Sequence, residues 1–173
     1  ILGDLNLITI KPVVYVANID EKVISSDNNH IDTLNDAVTK EGNSIIKICA
    51  SLEEQLNDLN KKYRKLFLDD YNLKESGLDK LIRVSYDELS LLTYFTAGDK
   101  EVRAWTIVKG STAPNAAGVI HTDFEKGFIK AEVIKYVDFI KYGSEIKCKE
   151  HGKLSIEGKD YVVNDGDIVH FRF

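Results

Sequence analysis

The chain reads as the edge of an α/β sheet with parallel strands, followed by a smaller α+β fold of the β-grasp kind. Two short β-branched apolar runs, at 12–17 and 44–50, are each followed by a helical pattern. Strand patterns then crowd the second half around one short capped helix. No Pro/Gly/Ser-rich linker separates the halves, and the two prolines are Pro12 and Pro114. A length of 173 residues, at roughly 150 per domain, fits one domain or two small ones.

Residues 12–17 (Pro-Val-Val-Tyr-Val-Ala) form an unbroken apolar run, the pattern of a strand covered on both faces. Ile31, Leu34, Ala37 and Val38 recur at helical spacing, and the pattern stops at Gly42. Residues 44–50 (Ser-Ile-Ile-Lys-Ile-Cys-Ala) repeat the strand signature. Ser51 opens Ser-Leu-Glu-Glu, a capping box with Glu54 at the third helical position. Leu52, Leu56, Leu59, Tyr63, Leu66 and Phe67 then give one long helix a single apolar face. Another helix is predicted over 76–89. Strand–helix–strand–helix order implies parallel pairing. Beyond it, 92–97, 102–108, 131–137, 161–163 and 168–173 read as strands, with Asp165-Gly166 as the turn before the last. Thr122-Asp-Phe-Glu125 reads as a second capping box.

Composition narrows the function classes. An apolar fraction of 43% and a charged fraction of 29% argue against a disordered chain. No run approaches the ~18 consecutive apolar residues of a membrane span, which excludes an integral membrane protein. The net charge of −5 excludes a basic nucleic-acid coat, while a local basic face stays open. Cys49 and Cys148 lie far apart, and the four histidines are scattered, so zinc spacings are absent and the thiols read as reduced cysteines of a cytoplasmic protein. The sequence has no methionine and opens inside an apolar pattern, so a piece of a longer protein is expected.

Two segments carry candidate chemistry. Val16-Ala-Asn18-Ile-Asp20-Glu21 falls where a buried parallel strand ends, and ligands of open α/β sheets bind at the carboxyl ends of strands. An asparagine amide presents a donor and an acceptor in one plane, enough for two hydrogen bonds to a base edge. Asn and Asp after a strand are also ordinary turn formers. Cys49-Ala50-Ser51 falls between the next strand and its helix, where backbone N–H groups can close over the same ligand or simply make a β–α turn.

A strand ending in Asn-x-x-Glu followed by one ending in Cys-Ala-Ser resembles the fourth and fifth base-binding motifs of translation-factor GTPases. The usual fourth motif is Asn-Lys-x-Asp; here Ile19 replaces the lysine and Glu21 the aspartate. This departure is similar to that of the YchF/EngD-type, Obg-like ATPases. The second half carries the same resemblance across Thr93-Tyr-Phe-Thr-Ala-Gly98, Glu101-Val-Arg-Ala-Trp-Thr106 and Thr112-Ala-Pro-x-Ala-Ala-Gly-x-Ile-His-Thr-Asp-Phe-Glu-Lys-Gly-Phe-Ile129. Glu157-Gly-Lys-Asp-Tyr161 and Asp165-Gly-Asp167 fit the family's TGS domain as well. The resemblance implies that 1–83 is the C-terminal portion of a P-loop NTPase (G-type) domain and that 84–173 is a ubiquitin-like TGS domain. It implies that 1–10 returns from an inserted helical hairpin.

It further implies ATP in preference to GTP, with Asn18, Ile19 and Glu21 at the base and Ala50 and Ser51 as backbone contacts. In a GTPase the aspartate accepts two guanine N–H donors; a glutamate sits one methylene further out and loses that bidentate geometry. The phosphate loop Gly-x-x-x-x-Gly-Lys-[Ser/Thr] does not occur in the chain; Gly152-Lys153-Leu154 and Gly158-Lys159-Asp160 are poor imitations. Phosphoryl transfer depends on such parts, so no catalytic or metal-ligating residue is assigned and the chain alone is expected not to hydrolyse nucleotide. Magnesium belongs to the parent protein, with its ligands outside this chain.

The TGS resemblance implies a ribosome- or RNA-docking module. Lys135, Lys141, Lys147, Lys149 and Lys153 recur through its last third and would attract phosphates if they shared a face. With Glu132, Asp138, Glu145 and Glu150 interspersed, they equally fit a solvated surface. Tyr94, Phe95 and Trp105 read as core aromatics or stacking platforms. His121 reads as a helix cap or an anion contact. The competing functional reading is a docking module with no working nucleotide site.

Overall fold

The two β-branched runs pair as parallel strands. β1 (Val14–Asn18) lies against β2 (Ser44–Ile48), with Val14 opposite Ser44 and Asn18 opposite Ile48. The computed structural model describes residues 7–24, 29–98 and 101–173. Of the segment 1–10, residues 1–6 lie outside the described residues, and Ile8–Ile10 form one 3-10 turn. The chain divides into two compact units, Ile1–Leu89 and Ser90–Phe173.

In the first unit the parallel pair needs a crossover, which α1 (Asn29–Lys40) provides while burying Ile31 and Val38. The helix unwinds at Gly42, whose φ of +74° is left-handed and costs glycine little. The single long helix predicted after β2 is two helices. α2 (Ala50–Asn57) buries Leu52 and Leu56 and stops at Asp58. α3 (Lys61–Asp70) restarts at Asn60, whose side-chain oxygen accepts the N–H groups of Lys62 and Tyr63 at 3.1 and 3.2 Å. Ser51 does not cap α2 as predicted. The cap position is Cys49, and the Ser51 hydroxyl instead faces Cys49 Sγ at 3.1 Å. The neighbouring Glu53 reaches forward and accepts the Gly77 N–H at 2.7 Å.

That bond fixes the start of α4 (Gly77–Glu88), the helix predicted over 76–89, which Ser76 caps by accepting the Asp79 N–H at 3.0 Å. Position 77 has to be glycine, because a Cβ there would stand 2.7 Å from Ile48 Cγ2. The close approach sets α4 directly against the end of β2.

The second unit is built on a mixed five-stranded sheet in the order β4-β3-β7-β5-β6. Its strands are β3 (Leu91–Ala97), β4 (Val102–Val108), β5 (Lys130–Lys135), β6 (Leu154–Glu157) and β7 (Asp167–Arg172). β3 and β4 form an antiparallel hairpin, β5 pairs antiparallel with both β6 and β7, and β3 meets β7 in parallel at Phe95 and Ile168. On one face lies α5 (Ala113–Ile120), whose fully buried Ala113, Ala116 and Ala117 let it approach closely. There Tyr94 is buried and its hydroxyl donates to the Ala116 carbonyl at 2.9 Å; burial pushes its ionisation up. Ile134, Cys148 and Ile168 form a second, smaller core with Phe95, Phe139 and Leu154.

Several expectations for this half are corrected. The 131–137 strand ends at Lys135, and α7 (Tyr136–Tyr142) follows at once, then α8 (Glu145–Glu150). Residues 161–163 contribute only a bridge between Val162 and Thr112. The short helix α6 (Thr122–Lys126) is capped by His121, whose Nδ1 accepts the Asp123 N–H at 3.1 Å, rather than by a Thr122 capping box. Asp165-Gly166 is a turn: Gly166 has φ +77°, and Asp165 accepts the Thr93 N–H at 2.9 Å. Among the described residues, no helix is long and apolar enough to cross a membrane.

Candidate nucleotide-base site

Parallel pairing brings the ends of β1 and β2 together, and with them the two segments singled out in the sequence. The Ile19 N–H continues the ladder to the Ile48 carbonyl at 2.8 Å. One residue earlier, Asn18 Oδ1 accepts the Ala50 N–H at 3.1 Å. The exposed Asn18 amide is thereby held against the first turn of α2. Its Nδ2 donors and the second lone pair of Oδ1 are left for a ligand. The Ala50 N–H, expected to meet the ligand, is instead used to orient Asn18. The exposed Ser51 lies in the first turn of α2, where helix geometry supplies no intrahelical acceptor for backbone N–H groups.

The two carboxylates of the motif have separate tasks. Asp20 caps its own 3-10 turn (Glu21–Val23) by accepting the Lys22 N–H at 3.0 Å. Glu21 is half-buried, and its Oε1 accepts the hydroxyl of Tyr71. Tyr71 caps the C-terminus of α3, and its ring rests on Phe67 with centroids 5.1 Å apart. The bond to Glu21, with desolvation and the nearby Cys49 and Asp70, holds the phenol above its ordinary pKa. Sequence reasoning missed Tyr71 because its partner lies 50 residues away. The available signal was the four-residue spacing from Phe67, one turn further along the same apolar face.

Beside this corner a cavity of about 290 Å³ opens at the carboxyl end of β2, lined by Ile24, Cys49, Glu53, Leu73, Ser76 and Gly77 among others. A larger apolar groove of about 540 Å³ belongs to the second unit, where Trp105, Phe124, Phe171 and Phe173 line it. It contains none of the base-motif residues Asn18, Ile19, Glu21, Ala50 and Ser51. Trp105 is half-buried and donates through Nε1 to Thr96 Oγ1 at 2.9 Å, with the Arg103 guanidinium 4.1 Å from its ring centre.

The five lysines differ in their surroundings. Lys135 Nζ lies 2.6 Å from the buried Asp167 carboxylate and donates to the Tyr161 hydroxyl at 3.1 Å. Lys153 pairs with Asp138 at 3.7 Å, and the Lys141 ammonium sits 5.2 Å from the Tyr142 ring centre. Lys147 and Lys149 are exposed on α8 and enter no ion pair among the described residues.

A parallel β–α–β corner of this kind, with a mixed sheet following it, is an α/β arrangement of the P-loop NTPase-related kind. The family YchF-GTPase_C, described as a protein of unknown function (DUF933), matches residues 91–173. The Haemophilus influenzae protein named ribosome-binding ATPase YchF is 50% identical over 168 residues, covering 97% of this chain and 46% of its own length. Its Bacillus subtilis namesake is 45% identical over 175 residues, covering 100% of this chain and 48% of its own length. The solved Schizosaccharomyces pombe structure, described as the YchF GTPase, superposes with a TM-score of 0.85 at 37% identity, covering 99% of this chain and 46% of that one. The chain belongs to the YchF family, and it spans about half the length of the curated relatives it matches.

Proposed function

We propose that the chain supplies the base-recognition corner and the ribosome-docking module of a YchF-type ATPase, with ATP preferred over GTP. The observation that carries this reading is the Asn18–Ala50 hydrogen bond, which fixes an amide donor at the joined carboxyl ends of β1 and β2. Asn18 Nδ2 suits a ring nitrogen, Ile19 offers an apolar surface to the base plane, and Ser51 contributes its backbone N–H. The residues fit the base half of the nucleotide. Phosphate and magnesium chemistry is assigned to sequence outside this chain, so the chain alone turns over no nucleotide. The half-exposed Val16 on β1 supports this division, because a two-stranded parallel sheet ordinarily continues into further covered strands.

The second unit is read as a TGS domain. Its strand order, with a parallel central contact between two antiparallel pairs and α5 packed on one face, supports the β-grasp reading. Relatives are named for both ATPase and ribosome-binding activity, and a solved relative is described as a GTPase. Base preference is therefore the property to measure. Titration of the full-length protein with ATP and with GTP is expected to give tighter ATP binding, and Asn18→Ala is expected to weaken ATP binding roughly tenfold, the loss of one hydrogen bond at a desolvated edge. Tighter GTP binding by the unaltered protein refutes the reading.

A further inference from the structure

Tyr71 enters the base corner from a helix that carries none of the family's motif residues. We propose that Tyr71 is a positioning residue that sets nucleotide specificity: by donating its hydroxyl to Glu21 it keeps that carboxylate an occupied acceptor and so denies guanine the partner its Watson–Crick edge requires. This rests on the base-corner reading above and names the device behind its preference.

The argument begins with the bases. Guanine presents two donors on that edge, the N1–H and the exocyclic amine, and a free carboxylate satisfies both. Adenine presents one donor and one acceptor, and a free carboxylate facing its N1 sets lone pairs against lone pairs. A corner selective for adenine must therefore remove its carboxylates from play. Both are removed here. Asp20 is used by the Lys22 N–H, and Glu21 Oε1 is used by Tyr71. The other lone pairs of Glu21 stay open, but they point in directions set by the tyrosine and not by the ligand. Replacing aspartate by glutamate lengthens the side chain, and the extra methylene is what lets the carboxylate reach a hydroxyl on α3.

The tyrosine is itself braced. Its ring packs on Phe67, and Asn60 starts α3 at a fixed point, so the hydroxyl arrives at Glu21 from a rigid element. A phenol is protonated, hence a donor, at neutral pH, and the bond to Glu21 pushes its pKa further up. Cys49 precedes the Ala50 N–H that holds Asn18, and Glu21, the partner of Tyr71, follows Asn18 by three residues. The two motif loops and α3 thus converge on one corner.

The test is a double-mutant cycle in the full-length protein, with ATP and GTP dissociation constants measured for wild type, Tyr71→Phe, Glu21→Gln and both together. Tyr71→Phe removes one oxygen and is expected to shift the GTP-to-ATP affinity ratio toward GTP by about three- to tenfold, the worth of one newly available acceptor. In the Glu21→Gln background the same substitution is expected to leave the ratio unchanged, since no carboxylate is there to release. Equal weakening of both nucleotides would show a merely structural tyrosine and overturn the proposal. So would an unchanged ratio, or a shift that persists without the Glu21 carboxylate. Wild-type preference for GTP refutes the base-corner reading itself; the change on Tyr71→Phe still reports separately on the tyrosine.

Discussion

Glu132 shows how a single side chain on the second sheet ties its stability to pH. It lies on β5, opposite His170, and the pleat puts Lys130 on the same face and Arg172 on the diagonal. Arg172 Nη2 approaches one carboxylate oxygen at 3.1 Å and Lys130 Nζ the other at 3.3 Å. The Arg172 hydrogen bond is the largest influence on Glu132, and with Lys130 it outweighs burial and holds the carboxyl below its ordinary pKa of 4.5. The folded state therefore binds its proton later than the unfolded chain as pH falls. The stabilisation is present above about pH 4.5 and is lost as pH drops through the lowered value. Denaturant titrations of wild type and Glu132→Gln should accordingly diverge near neutral pH and converge as pH falls through the lowered value. A difference that is constant across that range would show that the charge is not what matters. None of this was legible in the sequence, where Glu132 read only as one of several acids diluting a row of lysines. Pairing partners 40 residues apart follow from register, and register follows from the assembled sheet.

Elements were legible where one periodicity dominated and misread where two competed. Residues 12–17 and 44–50 admitted only a strand, and their parallel pairing followed from the helix between them. The run from Leu52 to Phe67 kept a helical apolar face throughout, yet the chain breaks at Asp58–Asn60, because an asparagine side chain that caps is worth more there than another turn of exposed helix. Likewise 131–137 reads as one strand on β-propensity, but Tyr136 and Val137 turn into α7, which ends at Gly143 with φ +78°. The Asn60 break bears on the proposed corner, since α3 restarts there and Tyr71 at its end meets Glu21. Asn60→Ala should cost about 1 kcal/mol of stability in chemical denaturation, the usual worth of an N-cap. A loss no larger than at an exposed control site such as Asn57 would mean that the cap does not set the start of α3.

Across the whole molecule, one unit carries the proposed base corner and the other a sheet read as the docking module, so the two proposed roles should separate by mutation. The candidate corner was legible as a pair of loops because parallel topology joins strand ends. The basic surface was not, because composition cannot say which lysines are already spoken for. Lys135 is spoken for: burial alone would lower its pKa, but hydrogen bonds to Asp167 and Tyr161 outweigh it and the net shift is upward. Its ammonium answers the fully buried Asp167, which also accepts the Tyr161 hydroxyl at 2.7 Å and the Asn164 N–H at 2.9 Å. Lys135→Gln should then lower stability by roughly 1–3 kcal/mol, the penalty for a buried charge that loses a partner, with little effect on RNA affinity. Lys147 and Lys149 are the opposite case, exposed on a short helix and not engaged by any described carboxylate. If the second unit docks on ribosomal RNA, each phosphate these lysines meet releases counterions, and affinity falls with salt at about 0.7–0.9 logarithmic units per contact. The double substitution to glutamine should weaken binding at low salt, reduce the slope of log affinity against log salt by about 1.5, and leave ATP binding unchanged. An unaltered slope would remove α8 from the docking surface. A slope reduced equally by Lys135→Gln would show that the Asp167 pairing opens on the RNA, contrary to its role in holding the sheet.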